Sequence, residues 1–128
     1  MSDNFLYEYA VLRIVPRMER EEFINVGVVL YCPSRGFLAC CSEIDPTRLN
    51  ALAPDTDPSE IEGYLHAFKL ICDGNRQIGG PIAALPVASR FRWLTATRST
   101  VLQSSKVHPG FCNDPETTLK RLFEQQVR

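Results

Sequence analysis

The stretch Glu22-Phe23-Ile24-Asn25-Val26-Gly27-Val28-Val29-Leu30-Tyr31-Cys32-Pro33 decides the fold. From Val26 to Cys32 it is apolar apart from Gly27, rich in β-branched and aromatic side chains, and Pro33 ends it. A strand wetted on one face alternates apolar with polar residues. An unbroken run therefore predicts a strand covered on both faces, and so a central one. Gly27 packs nothing and weakens a strand, which predicts a bulge or the close approach of another group at that point.

The neighbours of this strand follow outward from it. Tyr7 to Val15 reads as a strand with Ala10, Leu12 and Ile14 on one face and Tyr7, Tyr9, Val11, Arg13 and Val15 on the other. Arg13 must lie at a sheet surface or be paired, because an isolated buried charge is costly. Arg17 to Glu22 is a charged connection. On the far side, Pro33-Ser34-Arg35-Gly36 is a turn, with proline fixing φ and glycine free to turn left-handed. Phe37 to Ser42 then returns antiparallel. The expected register sets Cys32 opposite Phe37, Leu30 opposite Ala39 and Val28 opposite Cys41.

Three Asp-Pro pairs, Asp45-Pro46, Asp57-Pro58 and Asp114-Pro115, mark helix starts. The carboxylate caps free N–H groups, and proline costs nothing at the first helical position. The first helix offers Leu49 and Leu52 and stops near Pro54. The second adds Glu60 at capping-box spacing, an apolar stripe of Ile61, Tyr64, Leu65, Phe68, Ile71 and Cys72, and Gly74 as its stop. The third carries Leu119, Leu122, Phe123 and Val127. These helices are expected to cover one face of the sheet. Between the last two, Gly79-Gly80-Pro81 reads as a loop and Pro86 to Leu94 as a short helix with Phe91 and Leu94 inward. Ser99 to Ser104 reads as a fourth strand, and Lys106 to Cys112 as an irregular return. The expected fold is α+β, a mainly antiparallel sheet of about four strands with helices packed on it. With 128 residues, 45% of them hydrophobic, one compact domain spanning residues 1–128 is expected.

A formal net charge of -1 gives no whole-molecule field toward nucleic acid or a membrane. No apolar run is long enough to span a bilayer, and Met1-Ser2-Asp3-Asn4 does not begin like a secretory signal. Five cysteines, an odd number without CxxC spacing and mostly inside apolar patterns, suit a reducing compartment. A cytoplasmic protein with free thiols, no metal and no cofactor is the expectation.

The charge is unevenly placed. Residues 1–73 hold twelve acids and six bases, whereas residues 74–113 hold Arg76, Arg90, Arg92, Arg98 and Lys106 and no acid. A clustered positive surface would suit a phosphate or an acidic partner, with Arg98-Ser99-Thr100 as an oxyanion-binding fork beside two hydroxyls. Arg90, Arg92, Arg98, Ser99, Thr100, Lys106 and His108 are the candidate binding residues. A solvated face balancing an acidic neighbour is the plainer alternative. At the start of the central strand, Arg13, Glu22 and Asn25 are candidates for one polar cluster near Gly27. The consecutive acids Glu19, Glu21 and Glu22, interleaved with arginines, read as local ion pairs rather than as a metal site. His108, Cys112 and Asp114 are too close in sequence to suggest a catalytic set, and the His108–Cys112 pair lacks a second half for zinc. No P-loop, GxGxxG, GxSxG or HExxH occurs. The aromatic residues do not alternate with bases along one strand, which gives nucleic acid weak support.

Tyr9-Ala10-Val11-Leu12-Arg13-Ile14-Val15-Pro16, Glu21 to Tyr31, Gly80-Pro81-Ile82, Arg90-Phe91-Arg92-Trp93-Leu94, Arg98-Ser99-Thr100-Val101, His108 and Asp114-Pro115 occur in this order. Over nearly the whole chain that pattern resembles the bacterial domain-of-unknown-function family 3037. The resemblance carries no catalytic residues with it. It implies a bacterial protein, often described beside a HipA-like kinase gene, and so favours a non-enzymatic accessory or regulatory protein that binds a protein partner, with that kinase the candidate. The alternatives are a small enzyme or effector acting on a nucleotide or nucleic acid, and a structural homodimer formed through an edge strand.

Overall fold

The computed structural model describes residues 4–17, 20–96 and 100–128. Among them, five strands form one antiparallel sheet. Strands β1 (Phe5–Ile14), β2 (Ile24–Cys32) and β3 (Phe37–Ser42) make a meander. The β2–β3 register sets Cys32 opposite Phe37, Leu30 opposite Ala39 and Val28 opposite Cys41, as the sequence predicts. The turn between them is a short 3-10 turn over Pro33–Arg35, closed by Gly36 at φ 59°.

The other edge of β1 is shared by two strands laid end to end. β4 (Leu102–Ser104) pairs with Leu12 to Ile14, and β5 (His108–Cys112) pairs with Phe5 to Tyr9. The segment expected as an irregular return is therefore a strand, and the sheet has five strands rather than about four. Ser105 makes the joint. Its N–H donates to Val11 O at 2.8 Å, and its hydroxyl accepts from Val11 N at 2.8 Å and donates to Lys106 O at 2.9 Å. A buried hydroxyl with both capacities used costs the fold little. The joint can therefore be polar although it is buried.

Gly27 marks a bulge. Leu12 lies opposite Gly27 but Arg13 lies opposite Asn25, so Val26 has no partner on β1. The extra residue puts Val26 on the same face as Val29, while Val28, Leu30 and Cys32 face the opposite way.

Helices cover both faces, not one. On the first face Ala10, Leu12, Ile14, Val26 and Val29 meet α1 (Pro46–Leu52), α2 (Pro58–Asp73), α3 (Arg76–Ala83) and α4 (Val87–Leu94) through Leu49, Phe68, Ala83, Phe91 and Leu94. On the second, Tyr7, Val28, Leu30 and Cys32 meet Leu119, Leu122, Phe123 and Val127 at the end of α5 (Pro115–Gln126). Two layers of cover are what an unbroken apolar strand requires, at about 1.5–3 kcal/mol for each large side chain taken from water.

The helix starts form as read. Asp45 accepts from Thr47 N and Arg48 N, Asp57 from Ser59 N, and Asp114 from Glu116 N, each before a proline. The capping box of α2 does not close, because Glu60 instead accepts from Tyr64. Gly79-Gly80-Pro81, expected as a loop, lies within α3. Asn75 caps that helix by accepting from Ile78 N, and Gly80 (φ 76°, ψ -163°) breaks it into two turns, the second beginning at Pro81.

Candidate functional site

A groove of about 260 Å³ opens on the helical face between α2, α4 and the residues entering β4. Its walls are Tyr64, Ala67, Phe68 and Ile71 from α2, Trp93 from α4, and Thr100, Val101 and Leu102. The helical period explains the arrangement. Burying Phe91 and Leu94 of α4 turns Trp93 toward solvent, and it stays 37% exposed. On α2 the buried stripe is Ile61, Leu65, Phe68, Ile71 and Cys72; Tyr64, expected within it, stands at its margin, 41% exposed. The Tyr64 hydroxyl donates to Glu60 Oε1 at 2.9 Å, and this bond to a carboxylate raises the phenol's pKa. Thr100 Oγ1 donates to Leu102 O at 2.7 Å, and Gln103 Nε2 donates to Thr100 O at 2.8 Å. Among the described residues, the walls contain no carboxylate, imidazole, thiol or amine.

The described residues of the arginine-rich segment have different surroundings. Arg90 is half-buried, and its Nη1 donates to Ile71 O at 3.1 Å and Cys72 O at 3.0 Å, capping the end of α2. Its guanidinium lies against Gly74, where any Cβ would collide with it. That arginine holds two helices together. Arg98 and Ser99 lie outside the described residues. Arg92 is exposed on α4, with Nη1 donating to Ala88 O at 3.4 Å. Lys106 is exposed at the joint between β4 and β5. His108 is exposed and its ring meets Tyr9 at 5.4 Å between centroids, on the α5 face, whereas α4 packs on the opposite face.

Arg13, Glu22 and Asn25 are near one another but bind elsewhere. Arg13 and Asn25 are cross-strand neighbours. The Arg13 guanidinium stacks on the Phe23 ring at 4.2 Å, and Glu22 pairs with Arg20 at 2.7 Å. Asn25 Nδ2 donates to Gln126 O at 3.0 Å, while Arg48 Nη1 donates to Val127 O at 2.8 Å. The two side chains together satisfy the last carbonyls of α5, which have no partners within the helix. Arg13 Nε and Asn25 Oδ1 are buried without a hydrogen-bond partner among the described residues. Asn25→Ala and Arg48→Ala are each expected to lower stability by about 1–3 kcal/mol, since each leaves a carbonyl unpaired. Urea denaturation midpoints with an unchanged slope would report it; two variants matching the wild type would remove the capping role.

All five cysteines are free thiols. Cys112 is buried, and that burial pushes its thiol up; it sits beside Cys32 and Thr118. Burial also raises Cys41. Cys40 goes the other way, because a hydrogen bond from Cys72 stabilises its thiolate, while Cys72 is pushed up in return. Limited alkylation of the native protein is expected to reach the half-buried Cys40 and Cys41 before the buried Cys32, Cys72 and Cys112, since the reagent has to reach the thiol. Peptide mapping by mass spectrometry would show it, and first labelling at Cys32, Cys72 or Cys112 would refute it. Among the described residues no group of three His, Cys, Asp or Glu side chains is gathered as a metal site would need.

The groove-forming blocks, Arg90 to Leu94 and Thr100 to Leu102, lie within a stretch, residues 9–127, that matches one family, described as a protein of unknown function (DUF3037). The chain belongs to the DUF3037 family. Neither a curated protein nor a solved structure matches it. In this DUF3037 chain, no helix among the described residues is long and apolar enough to cross a membrane.

Sequence reasoning missed Tyr64 and Trp93 as surface features. A signal for the second was present: with Phe91 and Leu94 inward, Trp93 has to point away from the core.

Proposed function

We propose that this DUF3037 protein is a non-enzymatic bacterial accessory or regulatory protein, working in the cytoplasm, that binds a protein partner through the groove between α2 and α4. A HipA-like kinase encoded nearby is the partner the family resemblance favours. The observation that supports the reading is the pairing of exposed Tyr64 and Trp93 over an apolar floor of Phe68, Ile71 and Val101. Tyrosine and tryptophan around a desolvated centre are the side chains that contribute most to protein interfaces. The two hydroxyls of the walls, Tyr64 Oη and Thr100 Oγ1, are already bonded within the chain.

The test is co-expression with the neighbouring kinase, followed by purification through a tag on this protein. Ala67→Glu is the informative variant. Ala67 is an exposed helical position in the wall, glutamate is a good helix former, and the variant should melt as the wild type does. Kinase retained by the wild type and lost from Ala67→Glu is the expected result. A kinase that never co-purifies, or that ignores Ala67→Glu, would overturn the proposal.

A further inference from the structure

Resting on that reading, we infer that the groove takes a short amphipathic helix whose bulky apolar anchor is flanked by acidic residues. Three observations narrow the occupant. The first is size. Pockets for whole small-molecule ligands generally hold about 300–1,000 Å³, whereas this one holds about 260 Å³ between aromatic walls. It accommodates one or two large side chains.

The second is the state of the neighbouring strand. β4 is only three residues long, and two carbonyls at its edge already accept side-chain bonds, Leu102 O from Thr100 Oγ1 and Thr100 O from Gln103 Nε2. So short an edge offers an added strand few main-chain bonds. Side chains inserted from a helix lying along α2 and α4 do not depend on that edge.

The third is charge. Along α2, Lys69 is paired with Asp73 at 3.1 Å, while Glu60 accepts from Tyr64 and keeps its negative charge on the α2 side. On α4, Arg92 is exposed next to Trp93 and, among the described residues, its guanidinium bonds a carbonyl of its own helix. Arg90 lies beneath with its charge facing the end of α2. The α4 wall also belongs to the segment 74–113 that contains no acid. An occupant with acids along the flank that meets α4 is complementary to this wall, and a basic one is repelled.

A random peptide library displayed on phage, selected at low salt on the immobilised full-length protein, tests this. Enriched sequences should carry Phe, Leu or Trp at helical spacing with Asp or Glu beside them. Synthetic copies should bind the wild type about tenfold or more tighter than Ala67→Glu. Their binding should weaken severalfold on Arg92→Ala and on raising salt, since exposed charges are screened within about 8 Å at physiological ionic strength. Enriched peptides without acids, or ones indifferent to Arg92→Ala and salt, would overturn the inference. A single-stranded oligonucleotide that binds with the same sensitivity to Ala67→Glu and Arg92→Ala would also overturn it, by making Tyr64 and Trp93 a base-stacking platform. The kinase co-purification separates the two failures. Kinase binding lost with Ala67→Glu while the selected peptides lack acids would leave the proposed function standing and remove this inference alone.

Discussion

Val28→Asp is expected to prevent folding. Val28 is completely buried at the middle of β2, under the apolar face of α5. The surrounding side chains, Leu30, Leu119, Leu122 and Phe123, offer a carboxylate neither a donor nor a counter-charge. The effective cost of an unpaired ion there is several kcal/mol, to which the lost packing of the valine adds. Domains of this size hold only about 5–15 kcal/mol of net stability. Val28→Thr serves as the control: it keeps the branched shape and buries a single hydroxyl, at about 1–3 kcal/mol. Circular dichroism and urea unfolding of both variants would decide the matter. A cooperatively folded Val28→Asp protein with wild-type midpoint would mean that β2 is not covered on the α5 side.

The meander was legible because its signals are local. An unbroken apolar run, a proline-to-glycine turn and a strand of matching length specify register as well as pairing, since a slip of one residue would turn every side chain to the wrong face. The Asp-Pro helix starts are similarly local, each a bond between a side chain and a backbone N–H two or three residues on. The second layer was less legible. α5 has the same kind of apolar stripe as α2, and nothing within either stripe states which face of the sheet it will meet. The double cover was nonetheless implicit in β2 itself, because an unbroken apolar strand demands it. β5 escaped because its sequence, His108-Pro109-Gly110-Phe111-Cys112, carries proline and glycine. Both are tolerated there because the strand lies at an edge and because the Tyr7 ring lies over Gly110 in the space a Cβ would fill.

The arginines show why a site is harder to read than a fold. Arg90 and Arg92 are two apart in sequence and carry the same charge, yet one caps a helix that ended well before it and the other faces water. Only the tertiary partner, the carbonyls of Ile71 and Cys72, distinguishes them. The same holds for Asn25 and Arg48, whose shared task at the end of α5 joins three segments distant in sequence. The groove, too, is made by segments that meet only after folding. Its one local trace is an amphipathic helix with tryptophan on the wrong side for the core.

Two glycine-to-alanine replacements should act in opposite directions, which makes them a sharper test than either alone. At Gly27 a Cβ would lie 2.6 Å from Cys41 O and 3.2 Å from Leu12 Cδ1. Cys41 O belongs to the backbone of the adjacent strand, so relief requires β2 and β3 to separate. Gly27 also sits where the β1 pairing shifts at the bulge. Gly27→Ala is therefore expected to cost at least the 1–3 kcal/mol typical of overpacking a tight interior. The backbone conformation of Gly27 is not the reason, since its φ is not positive. Gly63 lies in α2, and a Cβ there would meet nothing within 4 Å. Gly63→Ala removes a flexible residue from a helix interior and should stabilise the protein by about 0.5–1 kcal/mol. Thermal melts of the two variants should fall on either side of the wild type. If Gly27→Ala melts with the wild type, the close approach of the β3 backbone at the bulge is wrong. A loss at Gly63 would instead mean that this face of α2 is occupied in solution.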